Sequence, residues 1–144
     1  MEFIIAETRE QIAFCEEALF AFRTNLESTT YIDSIIDMMR NEAFTLVYIP
    51  NEDSSKAAAF TGYRLMHTLR TGWSIYIDDL YTDPQYRGRG YAGALLDYVD
   101  KIATDAGIRF VHLDSGYTLH NAHRLYLNKG FVLACNHFAK SLLL

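Results

Sequence analysis

The sequence predicts an α/β (α+β) fold: one domain over residues 1–144, with a mixed, mostly antiparallel sheet flanked by helices. Three observations carry that prediction. Two strand-like stretches, Lys56–Leu69 and Trp73–Thr82, adjoin across Arg70-Thr-Gly72 and read as a hairpin. Segments whose apolar residues recur every three or four positions lie on both sides of them, and that is the helical period. No segment repeats, and the predicted order is β-α-α-β-β-β-α-β-α-β-β.

The elements follow from local chemistry. Glu2–Ala6 reads as a short strand. Thr8 to Gln11 has the capping-box pattern, with a hydroxyl at the N-cap and an amide three residues on. One helix is expected from there, with Ile12, Cys15, Leu19, Phe22 and Leu26 on its inner face. A second helix spans Thr30 to Glu42, with Ile32, Ile35, Ile36 and Met39 inward. Ala43–Ile49 is strand-like and stops at Pro50, and residues 51–55 form a turn cluster. A helix runs from Tyr91 to about Ala106 and is closed by Gly107. Ile108–Asp114 reads as a strand. The last helix spans His120 to Asn128 and ends before Gly130. Phe131–Cys135 and His137–Leu142 are expected as final short strands.

Composition excludes several function classes. Half the residues are hydrophobic, so a sizeable core is available. The formal net charge of −5 shows no basic patch able to hold a nucleic-acid backbone, and no nucleic-acid partner is expected. Cys15 and Cys135 are too few for a disulfide framework and read as small core residues. No apolar run reaches the ~18 residues needed to span a bilayer, and the N-terminus lacks a signal pattern. No membrane partner is expected, and the location expected is cytoplasmic.

The stretch RGRGYAG, Arg87–Gly93, carries the functional signal. Glycines at a helix start let backbone N–H groups approach an anion with no Cβ in the way. The helix terminus adds unpaired N–H groups and the positive end of the dipole. A phosphate-bearing ligand is therefore expected at residues 87–93. Two ligands fit those letters. Gly88, Gly90 and Gly93 spell a dinucleotide fingerprint, with Asp114 at a suitable distance. Against it, residues 83–86 separate the strand from the glycines, Tyr91 is bulky, and only 30 residues follow Asp114. The other ligand is an acyl-CoA.

Arg87, Gly90 and Ala92 spell R-x-x-G-x-A, after a strand ending Leu80-Tyr-Thr82 and a loop holding Pro84. The pattern resembles the acyl-CoA motif of the GNAT family of N-acetyltransferases. The resemblance runs the whole chain. It is strongest to bacterial members carrying segments like Asp78-Asp79-Leu80, Leu113-Asp-Ser-Gly116 and Ala122-His-Arg-Leu-Tyr126. It implies a GNAT-like fold and acetyl-CoA as co-substrate. The amides of Arg87, Gly88, Arg89, Gly90, Tyr91 and Ala92 would hold the pyrophosphate. The backbone of Leu80, Tyr81 and Thr82 would pair with the pantetheine amides, where this strand splays from Ile108–Asp114. The family often places an Asn seven residues before the Tyr. Here that position is Leu119, and Asn121 is the candidate replacement.

Acetyl transfer needs the amine deprotonated, the thioester carbonyl polarised and the leaving thiolate protonated. Tyr126 matches the family's general acid, since a phenol with a pKa of about 10 can donate to a thiolate. Asp78 matches the acidic residue of polyamine-acetylating relatives, and would act as base through water. Asp79 would bind a cationic acceptor. Alternation in a strand turns the two carboxylates to opposite faces, so only one is expected to point at the amine. Arg23, Tyr31, Tyr63 and Tyr76 are further acceptor-side candidates. His120 and His123 are three apart with no third ligand at a firm spacing. No metal is expected, and His123 reads as a hydrogen-bonded packing residue. The expected partner is a small-molecule or peptide amine, and a homodimer is compatible with the sequence. The alternatives are an acyl-CoA-binding regulatory module without turnover and a nucleotide-dependent oxidoreductase.

Overall fold

A computed structural model describes residues 1–143, and Leu144 lies outside the described residues. The chain divides into two compact units, Met1–Leu113 and the residues from Asp114 on.

The first unit holds a five-stranded sheet in the order β1-β2-β3-β4-β5. Its elements are β1 (Ile4–Ile5), α1 (Arg9–Phe14), α2 (Glu16–Phe22), α3 (Tyr31–Asn41), β2 (Phe44–Pro50), β3 (Ala57–Thr68), β4 (Gly72–Thr82), α4 (Tyr91–Asp105) and β5 (Val111–Leu113). The first three strand pairings are antiparallel and β4–β5 is parallel, as a crossover through α4 requires. The mixed sheet is the one expected.

Thr8 does cap α1. Its hydroxyl accepts from Gln11 N at 3.2 Å, and Gln11 Oε1 accepts from Thr8 N at 3.1 Å. The single helix expected through Leu26 is instead two. At Cys15 (φ −88°, ψ 0°) the backbone tightens, and Cys15 N bonds back three residues to Ile12 O at 3.0 Å. Arg23 then leaves helical geometry, and Leu26 packs on the core from a loop.

β2 buries Leu46, Val47, Tyr48 and Ile49 in succession, and β3 buries Ala57 through Tyr63. Successive side chains point to opposite faces, so both faces of these strands are covered. Helices α1 to α3 cluster with Leu46, Tyr48 and Phe60. Helix α4 supplies Leu95, Leu96 and Val99 to the other face.

The β3–β4 ladder has one irregularity, and it matters for the site. Gly62 pairs with Asp79 and Tyr63 with Ile77, so Asp78 has no residue opposite and forms a bulge. On the other side, β5 pairs only with Ile75, Tyr76 and Ile77. The β4 residues from Asp78 to Thr82 have no β5 partner.

The second unit contains α5 (His120–Asn128). The left-handed Gly130 (φ 89°) closes it, and Phe131 N bonds back to Tyr126 O at 3.0 Å. The two final strands expected after it are not formed. Residues 131–143 carry no β-ladder, and Val132, Leu133, Phe138 and Leu142 are exposed. Strand propensity is realised only where a neighbour takes up the backbone N–H and C=O groups. The strands expected at Glu2–Ala6 and Ile108–Asp114 are shorter for the same reason: only Ile4–Ile5 and Val111–Leu113 have partners.

Candidate active site

The glycine stretch forms an open cradle. Gly88 (φ 75°) and Gly90 (φ 85°) both sit in left-handed backbone, and Gly90 is the N-cap of α4. Beyond the adjoining residues, no atom of the described residues lies within 4 Å of where a Cβ on either would stand, so the space in front of the backbone is clear. Gly90 has no side chain to cap the helix, which leaves the first amides of α4 without a side-chain acceptor. The arginines are engaged. Arg87 Nε donates to Thr82 O at 3.1 Å, which ties the cradle to the end of β4. Arg89 Nη1 pairs with Glu52 at 3.1 Å, and both are well exposed. Such an exposed pair is weak enough for a bound anion to compete with it.

The approach from β4 to the cradle is fixed by Asp83. Its Oδ1 accepts from Gln85 N at 2.9 Å, capping the 3₁₀ turn Pro84–Tyr86, and its Oδ2 meets Lys56 Nζ at 3.1 Å. Burial alone would raise the Asp83 carboxyl, but the Gln85 amide and the Lys56 ammonium outweigh it and hold the group below its usual range. Just before it, Leu80–Thr82 lie half-buried on the length of β4 that β5 leaves unpaired. The Thr82 hydroxyl is buried and has no hydrogen-bond partner among the described residues. An orphan hydroxyl beside an unpaired strand edge and an open glycine cradle fits an extended ligand ending in phosphate.

Under the bulge lies a cavity of about 370 Å3 that brings together Arg23, Tyr76, Asp78 and Asp79. The two carboxylates therefore share one cavity, not opposite faces as alternation predicts. The extra residue at Asp78 breaks the period of two and re-aims the side chain. Both are partnered, but unequally. Arg64 grips Asp78 as a fork, Nε to Oδ1 at 2.9 Å and Nη2 to Oδ2 at 2.5 Å. Arg23 meets only Oδ1 of Asp79, from Nε at 2.7 Å and Nη2 at 2.6 Å, while its Nη2 also donates to the Asp78 carbonyl at 2.9 Å. Asp79 Oδ2 accepts no hydrogen bond among the described residues. Burial pushes the Asp79 carboxyl above the usual carboxylate range, with Arg23 pulling the other way.

Tyr31 and Tyr63 are not brought into this cavity. Tyr31 is 3% exposed, its ring edge-on to Phe20, and burial followed by the Glu16 carboxylate pushes its phenol up to about 12. Tyr63 is buried in β3. Their aromatic mass serves the core.

In the second unit, Tyr126 is half-buried on α5, its ring 5.8 Å from that of Phe131. Burial raises its phenol, which keeps the hydroxyl protonated as a donor at neutral pH. Asn121 is exposed in the first turn of the same helix. His123 Nε2 donates to Gly116 O at 2.7 Å, anchoring the Leu113–Gly116 segment's end to α5 in the packing role expected of it. The Ser115 hydroxyl is buried with no hydrogen-bond partner among the described residues. No group of three or more His, Cys, Asp or Glu among the described residues is arranged to hold a metal.

Sequence reasoning missed Arg64, Gly62 and Phe44. Arg64 looks like an ordinary strand cation until the bulge sets Asp78 beside it. Gly62 matters because a Cβ there would stand 2.6 Å from the Phe44 ring and 3.0 Å from Asp79 Oδ2. The only signal available was a glycine inside a strand pattern, which marks a bulge or a close approach.

Comparison with known proteins gives the family and the fold. Residues 12–131 match the family model described as "Acetyltransferase (GNAT) family". The chain is 30% identical over 134 residues to the "Uncharacterized N-acetyltransferase YhdJ" of Bacillus subtilis (strain 168), covering 92% of this chain and 93% of that one. It is similar in fold to an acetyltransferase of Trypanosoma brucei, with a TM-score of 0.80, 20% identity and coverage of 98% and 100% of the two chains. It is similar also to a ribosomal-protein-alanine N-acetyltransferase from Brucella melitensis biovar Abortus 2308, with a TM-score of 0.82, 13% identity and coverage of 99% and 100%.

Proposed function

We propose that this chain, which belongs to the GNAT family of acetyltransferases, transfers an acetyl group from acetyl-CoA to a primary amine by direct attack. The family match crosses from one compact unit into the other, which supports reading residues 1–144 as one catalytic domain. The observation that carries the proposal is the run from β4 to α4. The β5 ladder ends at Ile77, so Leu80–Thr82 are left to meet the pantetheine amides. The glycine cradle at Gly88 and Gly90 follows after the turn Pro84–Tyr86, where the pyrophosphate would sit on the first amides of α4.

The chain's own residues supply the proton chemistry. Tyr126 is proposed as the general acid for the leaving thiolate. For the base, the expected choice of Asp78 gives way to Asp79. Asp78 has both oxygens engaged by Arg64 in a fork that holds it in place. Asp79 keeps Oδ2 free of hydrogen bonds among the described residues, and burial raises its carboxyl above the ordinary value, so it is suited to take a proton, directly or through water. Arg23 and Arg64 position the two carboxylates, and Arg23 also holds the bulge through the Asp78 carbonyl.

The test is thiol release from acetyl-CoA in the presence of a panel of primary amines. Amine-dependent release with acetylated product supports the reading. Tight acetyl-CoA binding with no turnover across the panel would instead support a regulatory module, and binding of NAD in place of acetyl-CoA would sink both.

A further inference from the structure

We infer that the acceptor is a monoamine, a single cationic nitrogen on an apolar or aromatic body, and not a polyamine or another polycation. This rests on the acetyl-transfer reading and deepens it by naming the acceptor class. The cavity under the β4 bulge, about 370 Å3, is of the size that holds a small ligand. Its charges are already matched. Asp78 gives both oxygens to Arg64, and Arg64 Nη1 lies 3.7 Å from Glu42. Asp79 gives Oδ1 to Arg23. Asp79 Oδ2 is the one carboxylate oxygen lining the cavity that accepts no hydrogen bond among the described residues.

One ammonium can be met by that oxygen. A second in the same cavity would face mainly Leu26, Ile35, Met38 and Phe44, with Asn25 and Tyr76 as neutral polar groups and no further carboxylate among the described residues. Removing a full charge from water against such a wall, with no counter-charge, opposes binding strongly. An alkyl chain or aromatic ring gains by covering the same wall. The chain's net charge of −5 does not change this. A long-range field draws cations toward the surface, but it does not compensate an ammonium already stripped of water.

Two probes of matched length separate the cases: n-hexylamine, with one ammonium, and 1,6-diaminohexane, with two. Each is titrated into the protein by calorimetry at 0.15 M salt, with and without CoA, and each is then assayed as acceptor with acetyl-CoA. Hexylamine should bind at least about tenfold more tightly and show a kcat/KM higher by a similar factor, the direction that an uncompensated second charge imposes. Asp79→Asn should abolish hexylamine binding. Equal or better binding of the diamine overturns the inference. So does failure of both amines to bind at millimolar concentration, or hexylamine binding that survives Asp79→Asn. Because binding is read without turnover, these outcomes are distinct from failure of the acetyl-transfer reading. That failure would show as absent acetyl-CoA binding, or as absent acetylation of an amine that does bind.

Discussion

Gly62 and Asp79 face each other across β3 and β4 with room for nothing between them. A Cβ on Gly62 would stand 3.0 Å from Asp79 Oδ2 and 2.6 Å from Cζ of the Phe44 ring. The ring is 6% exposed and packed in the core, so it has little space to yield. Gly62→Ala should therefore lower stability by about 1–3 kcal/mol, the usual effect of overpacking, and displace the carboxylate. The expected reading is a lower Tm together with a raised KM for the acceptor amine and an unchanged affinity for acetyl-CoA. A variant with wild-type Tm and KM would show that this contact is soft.

Gly90 and Gly107 form a matched pair for testing the cradle. Both have positive φ, 85° and 71°, and beyond the adjoining residues neither has an atom of the described residues within 4 Å of a Cβ. Alanine at either site should cost about 1–2 kcal/mol for the left-handed backbone. Only Gly90→Ala should weaken acetyl-CoA binding, measured by calorimetry, because only there does the new methyl face the proposed phosphate. Equal losses of affinity in both variants would place the cradle elsewhere.

Asp79→Asn keeps the shape of the side chain and removes the proton acceptor. Turnover should fall by roughly 10²–10⁴, the contribution usual for a positioned base. The wild-type rate should fall as pH drops through the Asp79 pKa, because the ionised form is the working one. Burial raises that pKa from its ordinary value of 3.8, so the acid limb should lie above the usual carboxylate range. The variant's profile should lack that limb. An Asp79→Asn enzyme with the wild-type profile would return the role to Asp78 or to solvent.

Tyr126→Phe removes one hydroxyl and keeps the ring that packs 5.8 Å from Phe131. Turnover should fall by roughly 10²–10⁴ with Tm nearly unchanged, the pattern of a group used in the transition state. A purely packing role predicts the reverse, a shifted Tm with a normal rate per folded molecule.

Much of this molecule is legible in local chemistry. The Thr8 capping box, the hairpin around Gly72, the α4 stripe of Leu95, Leu96 and Val99, and its closure at Gly107 each depend on residues within a few positions of one another. The glycine cradle is local too, because a left-handed N-cap and the first turn of a helix are set by neighbouring residues. The break at Cys15 was hidden, since Ile12, Cys15 and Leu19 keep a helical spacing on both sides of it.

Local sequence was enough for the order of elements from β1 through α5, apart from the helix break at Cys15, for the glycine turn at residues 87–93, and for the presence of two adjacent carboxylates on the strand before it. Only the tertiary structure decided how those carboxylates are partnered. A bulge is a property of two strands in register, and Asp78 becomes the extra residue only when Gly62 pairs with Asp79 and Tyr63 with Ile77. Their partners come from far along the chain, Arg64 from β3 and Arg23 from the end of α2. The terminal residues 131–143 make the same point in reverse. Their composition favours strands, but a strand exists only where another backbone satisfies its hydrogen bonds, and propensity carries no information about whether that neighbour is there.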